Sequence, residues 1–219
     1  MHDTKILLTG VNGQVGWELR RSLAPLGQVV AMDSRALDLS DGAAIRRVVT
    51  ELRPRLIVNP AAYTAVDKAE AELESARAVN AVAPGVLAET AKQCRAILVH
   101  YSTDYVFDGS KDGPYLEDDA PNPLNVYGST KLEGEEAIRA SGVRHLILRT
   151  SWVYGTRGGN FLLTMQRLMK ERPELKIVDD QIGAPTWSRM IAETTALILA
   201  QCLSPARGAD RPEPWGTYH

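Results

Sequence analysis

The 219-residue sequence has little cysteine and no excess of charge of either sign. Its two cysteines, Cys94 and Cys202, lie in no CxxC or metal-ligand spacing, so we expect neither a disulfide framework nor a zinc site. The formal net charge is -2, which gives no basic surface. We therefore expect neither nucleic acid nor an anionic membrane as a partner.

Long hydrophobic runs are also missing. No segment approaches the roughly 18 apolar residues that a membrane-spanning helix needs. The first five residues, Met1 to Lys5, contain no apolar core of the kind that a signal peptide has. These absences predict no membrane span and a cytoplasmic location.

What is present is an alternation of short β-rich runs with longer helical patterns. The predicted strands cover residues 5–9, 29–32, 56–59, 96–102, 145–150 and 176–178, and the main predicted helices cover 15–26, 43–52, 127–141, 160–170 and 188–202. A further helical stretch ends at residue 94. Residues 56–58 and similar runs are continuously apolar, which is typical of strands buried on both faces. The alternation predicts an α/β fold with a doubly wound parallel sheet of the Rossmann type.

Two domains and two loops follow from this pattern. Residues 1–150 are predicted to form a dinucleotide-binding domain, and residues 151–219 a partial substrate-binding region interleaved with the core. The segment 108–126 is broken by glycine and proline and is predicted to be a loop. The segment 204–215 is predicted to be weakly ordered. In such a sheet, ligands bind outside the carboxyl ends of the strands.

A glycine-rich loop follows the first predicted strand. The pattern is GxxGxxG, and glycine lets the backbone approach a diphosphate while the following helix offers free N–H groups. A tight turn without a ligand is the alternative interpretation. The predicted cofactor-binding residues of this loop are Gly10, Asn12, Gly13, Gln14, Val15 and Gly16.

Further cofactor contacts are predicted after the second and third strands. Asp33 is placed to accept hydrogen bonds from the adenosine ribose, which favours NAD, but Arg35 follows and could bind the 2′-phosphate of NADP, so both cofactors stay open. Asp38 has an equal alternative role as a helix cap. The other positions predicted to contact adenine or the nicotinamide ribose are Leu39, Ala61, Ala62, Tyr63 and Thr64.

A second motif predicts ketone reduction. Tyr127 and Lys131 are four residues apart and share one face of a helix, and Thr103 follows a buried strand. A phenol can give a proton to a carbonyl oxygen, and a hydroxyl can bind the same oxygen. We expect Lys131 to lower the pKa of Tyr127 and to hold the nicotinamide ribose.

Several segments together resemble a known family. They are Leu8-Thr9-Gly10 with Gly13 and Gly16, residues 101–109, Asn125-Val126-Tyr127-Gly128 with Lys131, residues 149–154, 66–70 and 180–186. In these segments the chain resembles the extended short-chain dehydrogenases and, more closely, the dTDP-4-dehydrorhamnose reductases. Related 4,6-dehydratases carry a glutamate where this chain has Tyr105, which argues against dehydration.

The resemblance implies reduction by NADPH or NADH of the C4 ketone of dTDP-4-dehydro-β-L-rhamnose, a step that supplies surface polysaccharide such as lipopolysaccharide. Carried over by position, Tyr127 is the proton donor, Lys131 binds ribose, and Thr103 orients the ketone. Asp104 and Trp152 would contact the nucleotide sugar, although Trp152 could instead be a core-rim aromatic.

The resemblance also implies a C-terminal part beyond the position of residue 219, which family members have and this sequence lacks. Some members bind Mg²⁺ at a dimer contact there, so metal use and homodimer formation stay open. The alternative function is that of an NADP-binding regulatory subunit similar to the methionine adenosyltransferase β subunit.

Overall fold

The computed structural model describes residues 4–204 and 213–219. Its strands are β1 (Lys5–Leu8), β2 (Gln28–Ala31), β3 (Leu56–Asn59), β4 (Ile97–Thr103), β5 (His145–Thr150), β6 (Val153–Tyr154), β7 (Thr186–Trp187) and β8 (Gly216–Tyr218). Its α-helices are α1 (Gln14–Ser22), α2 (Gly42–Leu52), α3 (Val66–Ala69), α4 (Leu73–Arg77), α5 (Ala83–Gln93), α6 (Val126–Ser141), α7 (Phe161–Glu171) and α8 (Ser188–Leu203). A π-helical segment, Ala78–Val82, joins α4 to α5, and short 3₁₀ turns lie at Ala24–Leu26 and Asp104–Val106.

Six strands form one parallel sheet in the order β2-β1-β3-β4-β5-β8. Successive side chains of each strand enter two different cores. Leu7, Ile57 and Leu98 pack against α2, α5 and α6 on one face, whereas Ile6 and Val58 pack with α1 and α8 on the other. The predicted doubly wound fold is confirmed.

The strand order also locates the ligand crevice. β1 lies between β2 and β3, so the chain leaves β1 toward one side of the sheet and later returns on its other side. This reversal is the topological switch point, and ligands of open α/β sheets bind at the carboxyl ends of the strands there. The glycine loop after β1 lies at this point.

Two features of the sheet were not predicted correctly. The strand at 176–178 is wrong, because Ile177 and Val178 are exposed and lie in no strand. The strand next to β5 is instead β8, which pairs through Leu146 with Gly216 and through Leu148 with Tyr218. β-Branched residues therefore suggested a strand where the fold provides no neighbour to pair with.

The two predicted loops have different outcomes. Residues 108–125 are irregular, as predicted, and helix α6 begins at Val126. The carboxylate of Asp108 holds part of this loop by accepting hydrogen bonds from Ser110, Tyr115 and Asn122. Most of segment 204–215 lies outside the described residues. Within the residues that the structure describes, no helix is long and apolar enough to span a membrane.

Candidate active site

The glycine loop is shaped so that neither Gly10 nor Gly16 can be replaced without a clash. Gly10 has a φ of 57°, and a Cβ there would lie 2.7 Å from the backbone nitrogen of Ala61. A Cβ on Gly16 would lie 2.2 Å from the carbonyl oxygen of Gly10. Gly13 stands at the N-cap of α1 and has no side chain to cap the first turn. The backbone N–H groups there fit a diphosphate.

Asp33 lies beside this loop, as predicted. Its carboxylate accepts hydrogen bonds from the backbone N–H groups of Arg35 and Ala36, and Asn12 Nδ2 lies 3.4 Å from its Oδ2. The Ala36 hydrogen bond contributes most to lowering the pKa of Asp33. An ionised carboxylate at the end of β2 fits a ribose diol.

The position of Asp38 removes one alternative. Asp41, not Asp38, caps α2, since its carboxylate accepts from the N–H groups of Ala43 and Ala44. Asp38 binds Ser40 and is exposed. The capping role suggested for Asp38 is therefore wrong. The side chain of Leu39 is 7% exposed and belongs to the core, which leaves Asp38 as the polar group available at this position.

The loop after β3, which contains Ala61, Ala62, Tyr63 and Thr64, is held by a buried residue that the sequence analysis missed. Asn80 accepts from the N–H of Tyr63, donates to the Tyr63 carbonyl and also donates to the hydroxyl of Thr130. The phenol of Tyr63 donates to Glu72. The N–H, the carbonyl oxygen and the phenol of Tyr63 are therefore all bonded within the protein, and Asn80 fixes this loop to α6.

The chemical residues meet at the carboxyl end of β4. Thr103 Oγ1 donates to Asp104 Oδ1 over 3.0 Å and accepts from the N–H of Tyr105, while Ser151 Oγ donates to Asp104 Oδ2 over 2.6 Å. Tyr127 lies beside these residues, since its ring meets that of Tyr105 edge-on with the centroids 5.6 Å apart and its phenol interacts with the side chain of Thr103. Phenol, hydroxyl and carboxylate thus form one connected cluster.

Helix α6 delivers Tyr127 to this cluster by a close approach. Asn125 caps the helix by accepting from the N–H of Gly128. A Cβ on Gly128 would lie 2.2 Å from the Tyr105 carbonyl oxygen, so only glycine permits this contact between α6 and the turn that follows Thr103.

The pKa of Tyr127 differs from the expectation. Burial raises it to about 12, the hydrogen bond with Thr103 lowers it in part, and the charge of Asp104 raises it further. The expected lowering by Lys131 is not found. In this structure Tyr127 is a neutral phenol, the form that can give up a proton.

Lys131 is buried deeper than expected. Its side chain is 1% exposed, and Nζ lies 2.6 Å from the carbonyl oxygen of Tyr101 and 3.1 Å from Nε2 of His100. Burial lowers the pKa of Lys131 to about 8, although the charge of Glu135 opposes this. The sequence correctly indicated that Lys131 and Tyr127 share a helix, but not that the amino group points into the sheet.

Trp152 lies just after β5, near the start of the 151–219 region. Its φ of 44° lies in the left-handed region, which is rare for a bulky residue and is retained where the surroundings impose it. The ring is 42% exposed, and a Cβ on Gly183 would lie 2.6 Å from its Cε2. The indole therefore packs against the 180–186 segment at Gly183 and leaves part of its surface exposed to solvent.

Gln14 joins the glycine loop to this second half. Its Nε2 donates to the carbonyl oxygen of Val153, and its Oε1 accepts from Asn160. The predicted cofactor loop and the segment carrying Trp152 are therefore fixed to each other by one side chain.

Two further buried residues, Asn59 and His100, were missed. Asn59 ends the buried strand β3, His100 follows three apolar residues in the buried strand β4, and both are 0% exposed. A polar residue inside such a strand needs a buried hydrogen-bonding partner, and that requirement was a signal available in the sequence.

Comparisons with known proteins agree with this arrangement. The sequence matches the RmlD substrate binding domain over residues 4–219. It is 53% identical over 216 residues to the dTDP-4-dehydrorhamnose reductase of Burkholderia thailandensis, covering 98% of this chain and 72% of that protein. It is 49% identical to the reductase of Escherichia coli, covering 98% and 71%. The chain belongs to the dTDP-4-dehydrorhamnose reductase family.

A solved structure supports the same assignment. The Bacillus anthracis dTDP-4-dehydrorhamnose reductase in complex with NADP is 37% identical, with a TM-score of 0.90 over 100% of this chain and 74% of that one. These findings support the reductase and not the regulatory subunit considered from the sequence. Over the described ranges, 4–204 and 213–219, no group of three or more His, Cys, Asp or Glu residues could hold a metal ion.

Proposed function

We propose that this protein reduces the C4 ketone of dTDP-4-dehydro-β-L-rhamnose to dTDP-L-rhamnose with a nicotinamide cofactor. The observation that carries the proposal is the contact of Tyr127 with Thr103 at the carboxyl end of β4, in the same parallel sheet whose switch point carries the glycine loop. Family membership supports the substrate.

Tyr127 and Thr103 have roles that their surroundings support. The nicotinamide, when bound, supplies the hydride. Tyr127 donates the proton to the ketone oxygen, and Thr103 fixes that oxygen with its hydroxyl. Thr103 donates to Asp104 in this structure, so its proton must turn from the carboxylate to the ketone when substrate binds. Lys131 holds the ribose of the cofactor.

The remaining residues divide between cofactor and sugar. Gly10, Gly13 and Gly16 hold the diphosphate, and Asp33 holds the adenosine ribose. Asp104 and Trp152 contact the nucleotide sugar. We assign residues 1–150 to the cofactor half and residues 151–219 to the sugar half.

The cofactor is NADPH or NADH. The relative in complex with NADP supports NADPH, and so does Arg35 beside the ribose site. The ionised carboxylate of Asp33 opposes a 2′-phosphate by charge repulsion. We further propose that the enzyme acts in the cytoplasm and supplies a precursor of lipopolysaccharide or another surface polysaccharide.

The test is turnover of dTDP-4-dehydrorhamnose, followed by loss of NADPH or NADH absorbance. Tyr127→Phe should lower kcat by about 10²–10⁴-fold, the range expected for a general acid, with nearly unchanged cofactor affinity. Tyr218→Phe is the matched control, because that phenol donates only to the Pro214 carbonyl and is partly exposed.

Unchanged kcat in Tyr127→Phe would remove Tyr127 from the mechanism. Cofactor binding without any turnover in the unmodified protein would overturn the proposed reaction.

A further inference from the structure

A chain of buried polar side chains crosses the sheet beneath the glycine loop. Thr9 Oγ1 lies 2.5 Å from Asn59 Oδ1, Asn59 Nδ2 lies 3.2 Å from His100 Nδ1, and His100 Nε2 lies 3.1 Å from Lys131 Nζ. Thr9 directly precedes Gly10. The hydrogen-bonded side chains therefore extend from the cofactor loop after β1, through β3 and β4, to the lysine on α6. Thr9 and Lys131 are almost fully buried, and Asn59 and His100 are completely buried.

The donors and acceptors in this chain determine the charge that Lys131 can carry. With the Thr9 hydroxyl donating to Asn59 Oδ1, the Asn59 amide donates to His100 Nδ1. The ring proton of a neutral His100 is then on Nε2, where it faces Lys131 Nζ. A nitrogen can accept that hydrogen bond only as a neutral amine.

A second arrangement suits the ammonium. If the Asn59 amide is reversed, its oxygen accepts from a proton on His100 Nδ1, and its NH₂ group donates to Thr9. His100 Nε2 then carries a lone pair that accepts from the Lys131 ammonium. Neither arrangement sets two buried donors against each other, which would cost free energy. Lys131 can therefore change charge if the His100 tautomer and the Asn59 amide change with it.

The charged groups around Lys131 are few. Glu135, one turn further along α6, is held by Arg149 of β5 and by Arg139. Asp104, after β4, is bound to Thr103 and Ser151, and Arg77 pairs with Glu133 on the exposed side of α6. From β1 and β3 only the neutral Thr9 and Asn59 face the chain. His100 itself stays uncharged, because burial and the Lys131 charge keep its pKa well below 6.5.

We propose that Thr9, Asn59 and His100 are positioning residues that hold the Lys131 amino group and couple its charge to the tautomer of His100. The coupling lets a fully buried lysine lose and regain a proton near neutral pH. Its consequence for catalysis rests on the proposed function, in which Lys131 holds the cofactor ribose and lies on the same helix, α6, as the proton-donating Tyr127.

The direct test is ¹⁵N NMR of the histidine ring nitrogens from pH 6 to pH 10, with the His100 signals assigned by their absence in His100→Phe. The ring should stay neutral throughout, with the proton on Nδ1 at low pH and on Nε2 at high pH. The midpoint should follow Lys131, whose pKa is about 8. In Lys131→Met the tautomer should not change with pH.

A matched pair of threonine variants tests the Thr9 end of this series of hydrogen-bonded side chains. The Thr9 hydroxyl donates its proton to Asn59 in the first arrangement but only accepts in the second, where its own proton needs another acceptor. Thr9→Val removes that requirement and so favours the arrangement with the ammonium. The midpoint should rise by about 0.5–1 pH unit, the shift that loss of one neutral hydrogen bond allows. Thr90→Val removes an equally buried hydroxyl that donates to the Val86 carbonyl within α5, and it should not move the midpoint.

A single His100 tautomer across the whole pH range, or a tautomer change that persists in Lys131→Met, would overturn the proposal. An equal shift in Thr90→Val would also do so, since it would indicate a general effect of loosening the core. The pH profile of kcat should move with the NMR midpoint in Thr9→Val. If the NMR coupling is present and no variant turns over substrate, the proposed reaction fails and the positioning role stands.

Discussion

Burial of the single side chain of Lys131 makes the stability of the protein depend on pH. Its amino group is bonded to a neutral ring and to a carbonyl oxygen, and burial lowers its pKa from 10.5 to about 8. Below pH 8 both the folded and the unfolded protein bind the proton, and the folded state bears the full cost of burying the charge. Between pH 8 and 10.5 only the unfolded chain binds it, so the free energy of unfolding rises with pH.

This gives a stability prediction for Lys131→Met. The free energy of unfolding of the unmodified protein, taken relative to that of the variant, should increase from pH 8 to pH 10.5 by at most about 3 kcal/mol. Urea denaturation of both proteins at several pH values in this range measures the difference. A difference that stays constant with pH would mean that the lysine keeps an ordinary pKa when buried.

At this scale the sequence predicted the types and order of the chemical residues better than their surroundings. Tyr127 and Lys131 on one helical face follow from their spacing. The raised pKa of Tyr127 does not, because burial depends on segments distant in sequence. His100 carried a signal, a polar residue in an apolar strand, but its link to Lys131 requires the packing of α6 against β4.

At the scale of elements, α6 is positioned by two glycines. Gly128 allows the contact with the turn after β4, and Gly134 allows a contact with the π-helical segment 78–82. A Cβ on Gly134 would lie 2.1 Å from the carbonyl oxygen of Asn80. Glycine lowers helix stability by about 1 kcal/mol relative to alanine, so its presence inside α6 indicates a packing requirement.

Gly134→Ala should therefore destabilise the protein despite the better helix propensity of alanine. We expect a loss of about 1–3 kcal/mol from the forced separation of backbones, measured by urea denaturation. Gly159→Ala is the control, because a Cβ there meets no atom within 4 Å. If both variants had the same stability, the close approach of α6 to Asn80 would not constrain the fold.

The strands show where local pattern is insufficient. The apolar strands β1, β3 and β4 were predicted because strands buried on two faces must be continuously apolar. β8 carries only Gly216, Thr217 and Tyr218, and it is a strand because its backbone pairs with β5. Ile177 and Val178 have the stronger β propensity but no partner, so pairing rather than propensity decides between the two segments.

For the molecule as a whole, the connection between the two halves of the chain is polar as well as apolar. α1 packs against α8, and Gln14 bonds Val153 and Asn160. These contacts therefore fix the predicted cofactor-binding residues and the predicted sugar-binding residues relative to one another. The order of strands and helices was sufficient to predict this architecture, whereas these long-range contacts were not visible in any local pattern.

Among the ion pairs of the described residues, the pair of Glu135 on α6 with Arg149 on β5 is the least exposed. Two hydrogen bonds of 2.9 and 2.8 Å join them, and their side chains are 0% and 3% exposed. Burial raises the pKa of Glu135, but Arg149 and other hydrogen-bonding partners lower it more, so that it lies below its ordinary value. The stability from this carboxylate is therefore present above its unfolded pKa and is lost as pH falls through the folded pKa.

Breaking one side of this pair should cost more than removing both. Arg149→Met leaves a buried carboxylate with Arg139 as its remaining cationic partner, and we expect a loss of about 3 kcal/mol, near the lower end for a broken buried pair. Adding Glu135→Gln removes the uncompensated charge and should recover part of that loss. Arg167→Met, in the exposed pair with Glu171, should cost less than about 1 kcal/mol. Denaturant unfolding of the single and double variants gives the coupling energy, and strictly additive losses would mean that the pair does not hold α6 to the sheet.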